Sequence, residues 1–227
     1  MKKAKVAIIF VFAMMFTFAL IGCGINVSRF EGNISEKRVN VFVGEIEGLK
    51  VQAITGQKEE PFLLDGTATG MQDFTLITIE PSEFLGTVEF SYRVKIGENE
   101  FSGEFVPHPF GKTYSTNIDM VSNVKTITLF VQRGEGEERE VVLTSVLTED
   151  MIDYYKALSI AANRLDKQIN SLTTNGVLNA EIYVRLMANP IDNTGGFFWY
   201  VAFLTPEGNL YAVLIDPVSM EVVAVRD

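Results

Sequence analysis

The sequence predicts a mainly β protein in two parts, a layered strand unit followed by one helix packed on an antiparallel sheet. Three observations carry this. Residues 38 to 146 alternate apolar and polar side chains in period two. At Thr148 the spacing changes to alternating steps of four and three. After residue 176 period two returns.

The strand unit is clearest between Val88 and Phe105. Val88, Phe90, Tyr92, Val94 and Ile96 fall on one face, and Thr87, Glu89, Ser91, Arg93 and Lys95 on the other. Gly97-Glu98-Asn99 turns the chain, and Phe101, Gly103 and Phe105 continue the apolar face on the way back. Further strands are expected near 39–43, 49–54, 74–79, 124–131 and 139–146. About seven strands in some hundred residues suit an immunoglobulin-like β-sandwich over 38–146, although the cysteine pair and core tryptophan of antibody domains are missing.

In the second unit, 148–227, Met151, Tyr155, Leu158, Ala162, Leu165, Ile169 and Leu172 form one apolar stripe, with Thr148 placed to cap its start. Asp153, Lys156, Asn163, Arg164, Asp166 and Lys167 occupy the polar side, and Gly176 lies in the loop beyond. Strands follow near 181–187, 197–204, 210–215 and 221–225, the middle two joined by Pro206-Glu207-Gly208-Asn209. One helix cannot cover its own stripe, so the sheet is its partner.

Residues 197–204 alternate as well. Phe197, Trp199, Val201 and Phe203 share one face, and Phe198, Tyr200, Ala202 and Leu204 share the other. If the first face meets the helix, the second is either covered by the strand unit or open as a recognition surface, and Phe198 and Tyr200 are its candidate contact residues.

The chain starts differently. Lys2, Lys3 and Lys5 precede an apolar run from Val6 to Ile21 interrupted only by Thr17, too short and wrongly flanked for an ordinary spanning helix. It reads as a secretion signal, residues 1–22. Leu20-Ile21-Gly22-Cys23 resembles the lipobox of bacterial lipoproteins, which implies cleavage before Cys23 and a diacylglyceryl group on its sulfur. That resemblance implies a protein anchored by lipid to the extracytoplasmic side of a cell membrane, and two acyl chains suffice for stable attachment. Residues 23–37 are polar and mixed, and read as the lipidated N-terminus and a short tether.

The segment from Trp199 through Leu210-Tyr211-Ala212-Val213-Leu214-Ile215-Asp216-Pro217-Val218-Ser219-Met220-Glu221-Val222-Val223, behind a helix, resembles a PepSY domain. In that family the last hairpin commonly turns through an aspartate and a Thr-Gly pair, from which Ser219-Met220 departs. The resemblance covers about the last third of the chain. It implies an extracytoplasmic protein, and some such domains are proposed to inhibit peptidases as parts of propeptides.

Composition excludes more than it assigns. Losing Lys2, Lys3 and Lys5 with the signal takes three of the 19 basic residues and none of the 29 acidic ones, so the net charge moves from −10 to −13. A surface poor in clustered Lys and Arg excludes nucleic acid as the expected partner. Cys23 is the only cysteine and His108 the only histidine, which leaves neither a disulfide nor the ligands of a usual zinc site. His108, between Pro107 and Pro109, reads as a loop residue.

No Gly-x-Ser-x-Gly elbow occurs, and the Gly66-Thr67-Ala68-Thr69-Gly70 and Gly134-Glu135-Gly136 segments lack the features of phosphate loops and read as turns. Glu59, Glu60, Glu80, Glu83 and Asp119 could supply an acid pair, but nothing in their spacing singles one out. Asp192-Asn193-Thr194-Gly195-Gly196 offers oxygen ligands for calcium, yet lacks EF-hand spacing and reads as a turn.

The expectation is therefore a non-catalytic lipoprotein without cofactor or metal. It would act as a binding or scaffold module for an extracytoplasmic protein or wall component, or as a regulator of a peptidase or wall enzyme through its second unit.

Overall fold

A computed structural model describes residues 26–83, 88–191 and 195–227. The signal segment and Cys23 lie outside these residues, as does Asp192-Asn193-Thr194.

A 3-10 helix, Val27–Asn33, leads into strands β1 (Ile34–Ile46), β2 (Leu49–Glu59), β3 (Met71–Pro81), β4 (Phe90–Ile96), β5 (Asn99–Glu104), β6 (Val106–Pro107), β7 (Tyr114–Ile118), β8 (Thr126–Arg133) and β9 (Arg139–Ser145). Helices α1 (Tyr154–Arg164) and α2 (Asp166–Leu172) follow, then a small hairpin, β10 (Thr173–Thr174) and β11 (Val177–Leu178). The chain ends in β12 (Glu181–Ala188), β13 (Phe197–Leu204), β14 (Leu210–Ile215) and β15 (Val222–Arg226). The protein is mainly β, with a large and largely antiparallel sheet, as the period-two pattern requires.

The expected strands are present, and β7 is an addition that its polar sequence, Tyr-Ser-Thr-Asn-Ile, did not announce. Strands β1, β2, β3, β7 and β6 form one layer, and β9, β8, β4 and β5 the other. Between them lies an apolar cluster built from Phe42, Ala53, Ile77 and Ile79 on the first layer and Val94, Ile96, Ile127, Leu129 and Leu143 on the second. Alternation puts each of these inward while Arg93, Lys95 and Thr128 stay outside, the physical content of a half-buried strand.

The second apolar cluster sits under the helices. Leu158, Ala162, Leu165 and Ile169 of the expected stripe are fully or almost fully buried, against Ile182, Val184, Leu186, Trp199, Val201, Phe203, Val213 and Ile215. Two details differ from the sequence reading. Asp153, not Thr148, caps the helix, its carboxylate accepting from the Lys156 N–H at 2.8 Å. The four residues between are held extended or turned because the Ile152 N–H donates to the Pro217 carbonyl and the Ile152 carbonyl accepts from the Trp199 indole. The continuous helix is also two, broken at Leu165, whose side chain stays in the core.

The tether expected over 23–37 requires correction from Val27 onward. Val27, Phe30 and Ile34 are buried in the helix-side cluster, with Phe30 edge-on to Phe203 at 6.4 Å between ring centroids. Spacings of three and four put these apolar side chains on one side of a short 3-10 helix and a strand start. A pattern that short cannot be separated from chance in the sequence.

Strand β1 couples the two clusters. Along nearly its whole length it pairs antiparallel with β2. On its other edge, Ile34 to Arg38 pair parallel with β12, whereas Phe42 and Val43 pair antiparallel with β9. The change of neighbour coincides with a register shift between Arg38 and Asn40, a bulge that bends the strand. Val41 consequently enters the helix-side cluster while Phe42 enters the other.

Candidate functional site

The same junction carries the most unusual chemistry of the described residues. The connection between β2 and β3, residues 60 to 70, crosses from the strand unit to the start of β12 and is fastened there like a strap. The Gly66 N–H donates to Glu181 Oε1 at 2.7 Å. The Asn33 amide donates to the carbonyls of Gly66, Leu178 and Ala180 at 2.5, 3.0 and 3.1 Å. The Ala68 N–H donates to the Gly32 carbonyl at 2.8 Å.

Two carboxylates are buried beneath it. Glu181 is fully buried, and its second oxygen accepts a short hydrogen bond from the Ser35 hydroxyl. Glu59, also buried, accepts from the Thr69 N–H at 2.8 Å and hydroxyl at 3.2 Å through Oε1, while its Oε2 is buried without a hydrogen-bond partner. Burial raises the Glu181 carboxyl above the usual range; the Gly66 N–H opposes this, and the charges of Glu59 and Asp65 add to it. Alongside, Glu36 lies between Arg38 and Arg185, with Arg38 Nε at 2.5 Å and Arg185 Nε at 2.8 Å. The arrangement is suited to fastening a loop, since both buried acids are engaged by strap backbone.

A raised carboxyl pKa has a definite sign. Ionisation of Glu181 is harder in the folded chain than in the unfolded one, so its contribution to stability is fully present below the unfolded pKa and is lost as pH rises through the folded value. Glu181→Gln keeps the acceptor for Gly66 and a donor toward Ser35 without the charge. The expected result is a melting temperature that falls less steeply with rising pH than that of the parent. Identical pH profiles in the two proteins would show that Glu181 does not titrate there.

Two open grooves lie elsewhere. The outer face of β1, β2 and β3 carries one of about 530 Å³, lined by Val43, Glu45, Lys50, Gln52, Thr78, Glu80 and Thr113. A hollow of about 360 Å³ shares Glu45, Lys50 and Glu80 and is bordered by Ser82 and Lys112. The second groove, about 210 Å³, lies on the face of β13 and β14 turned away from the helices, between Pro190, Ile191, Tyr200, Ala212, Leu214 and Ala224.

The residues singled out in the sequence distribute as follows. Phe198 and Tyr200 share the face away from the helices, both half-buried, and Tyr200 lines the smaller groove. That face is partly covered: at β12 the strap lays Phe62 against Tyr183, with ring centroids 6.2 Å apart. His108 is exposed in its loop and its Nδ1 accepts from the Phe110 N–H at 3.2 Å. Glu60, Glu80, Glu83 and Asp119 are exposed, and only Glu59 of the five acids is buried.

Among the described residues no group of three or more His, Cys, Asp or Glu is placed to hold a metal ion. Gly66 to Gly70, expected as a turn between strands, lies in the connection from β2 to β3 and forms the fastened half of the strap. In the sequence Glu181 is only the first residue of an expected strand. Its one sequence signal is an acid beginning an otherwise apolar alternation, Glu-Ile-Tyr-Val-Arg-Leu, which is equally the signature of an exposed strand end.

Asp216 turns the last hairpin, accepting from the N–H groups of Val218 at 2.9 Å and Ser219 at 2.8 Å, and these bonds hold its carboxyl below the usual range. Met220 follows in the left-handed region at φ 64°, a conformation that favours glycine. Comparison of the chain with protein-family models, with curated proteins and with solved structures finds no match.

Proposed function

We propose that this chain is a lipoprotein of the extracytoplasmic face of a cell membrane, anchored through lipid on Cys23, and that it acts without catalysis as a binding or scaffold module. In this reading the strand unit is an immunoglobulin-like sandwich and the helix-and-sheet unit is PepSY-like. The occupant is an extended segment of an extracytoplasmic protein or wall component.

The observation that carries the reading is the groove on the outer face of β1 to β3. Its polar groups alternate in sign across neighbouring strands, with Lys50 opposite Glu45 on one side and Glu80 on the other, beside the partly exposed apolar side chain of Val43. An open trough with a few oriented polar groups around apolar surface is the form of a recognition site, in which charge pairs set register and apolar contact adds affinity.

A second reading, regulation of a peptidase or wall enzyme through the PepSY-like unit, is favoured by the apolar groove beside Tyr200. One experiment separates the two. Photo-crosslinking side chains are placed in cells at Gln52, at Tyr200 and at Glu98, an exposed turn residue away from both grooves. The expected result is a discrete adduct from Gln52 with none from Glu98. An adduct from Tyr200 alone transfers the function to the second unit, and equal labelling at all three positions defeats both readings.

A further inference from the structure

We propose that Phe62, Leu63 and Leu64, in the first half of the strap, form a second membrane contact through the surface that Phe62 leaves open beside Tyr183, resting on the same leaflet that carries the lipid of Cys23. The inference builds on the lipoprotein reading and adds a surface to it.

These three consecutive side chains are 46, 51 and 36% exposed, although the strap that bears them is fixed to the body. A run of large apolar groups on an ordered loop presents a patch that water solvates poorly, and such patches mark contact surfaces. The fastening bonds hold it in a defined place: Gly66 to Glu181, Asn33 to Gly66, and Ala68 to Gly32. The last two tie the strap directly to the segment that leads back to the anchor.

The covalent distance to that anchor is short. The 3-10 helix rises about 2 Å per residue, so Val27 lies about 10 Å from Gly32 along its axis. Four further links from Val27 to Cys23 reach at most about 14 Å when fully extended. Because Val27 and Phe30 are buried in the core, the helix cannot pay out additional length. Cys23 is therefore leashed within about 25 Å of the strap's own bond to the helix, and this end of the body stays at the bilayer.

Val177, 68% exposed in the small hairpin whose Leu178 carbonyl accepts from Asn33, adds apolar surface next to the strap. The chain is strongly acidic, so the contact is apolar and does not depend on an anionic leaflet. A lipidated chain with a second, weak apolar contact is also oriented, since two points of attachment restrict rotation about the leash.

The test uses the full lipidated protein in vesicles of phosphatidylethanolamine and phosphatidylglycerol. With Cys23 acylated, Leu63→Cys supplies the single free thiol for an environment-sensitive dye, and Glu98→Cys serves as a distant control. The expected result is a blue-shifted emission at position 63, quenched by lipids brominated on their acyl chains, with neither effect at position 98. A water-like, unquenched signal at 63 in protein whose mass shows the lipid on Cys23 overturns the membrane contact and leaves the anchor intact. Shielding at 63 that rises with protein density but is insensitive to brominated acyl chains assigns the patch to a second copy and also overturns it. Protein recovered from the producing cells with an unprocessed N-terminus and no lipid on Cys23 removes the lipoprotein reading, and the proposal with it.

Discussion

Gly56→Ala is expected to destabilise the protein by about 3 kcal/mol or more, at the upper end for a single added methyl group. Gly56 pairs with Arg38 across β2 and β1, beside the bulge that lets β1 change neighbours. A Cβ there would stand 2.8 Å from the Lys37 carbonyl carbon and 2.9 Å from the Arg38 Cα, and closer still to the Lys37 carbonyl oxygen. All three are backbone atoms, so no side-chain rotation relieves the clash. Nor can β1 retreat freely, because Lys37 and Arg38 are paired on their other edge with Val184 and Arg185 of β12.

The strain therefore reaches both apolar clusters through one strand. Denaturant unfolding followed by circular dichroism and by the fluorescence of Trp199, the only tryptophan, should show both signals moving to a lower midpoint together. A variant within about 1 kcal/mol of the parent would mean that β1 and β2 can separate locally at the bulge, contrary to the rigid junction described.

Trp199→Ala is expected to cost about 3 to 5 kcal/mol, the range for truncating a large buried aromatic. The indole is 1% exposed, within the helix-side cluster, and lies on β13 between Leu186 of β12 and Ile215 of β14. It also has a polar duty. Its Nε1 donates at 2.9 Å to the carbonyl of Ile152, the residue just before the Asp153 cap, and so fixes where the first helix begins.

Trp199→Phe separates the two contributions. It keeps most of the apolar bulk and removes the donor, for an expected loss of about 1 to 2 kcal/mol from the Ile152 carbonyl left without its partner. Thermal melts by far-ultraviolet circular dichroism measure both variants, since neither retains a tryptophan signal. If Phe proves as damaging as Ala, hydrogen bonding rather than volume governs the site; if both are mild, the helix does not depend on this strand for its position.

The candidate site was legible only in fragments. Phe198 and Tyr200 could be assigned to the face opposite Trp199 because alternation is a property of one strand, and they do share that face. Glu59 stood among five acids that the sequence could not rank. What distinguishes it is the strap closing over it from ten residues further on, with Thr69 as donor, whereas Glu60 one residue away remains in water. Glu181 and Ser35, 146 positions apart, meet because β1 and β12 lie side by side in parallel.

From the sequence alone came the β-rich class, the strand faces and the helical stripe from Leu158 to Ile169, because each depends on side chains two, three or four positions apart along a regular backbone. The signal-like start and Cys23 belong to the same kind of local information. Tertiary structure alone decided that β1 serves two clusters, that Val27 and Phe30 are core rather than tether, and that a loop between two strands fastens onto a distant third. Those outcomes depend on which strand edges meet. Edge pairing is made by backbone groups that every residue carries, so the identity of a neighbour leaves almost no trace in the side chains that form it.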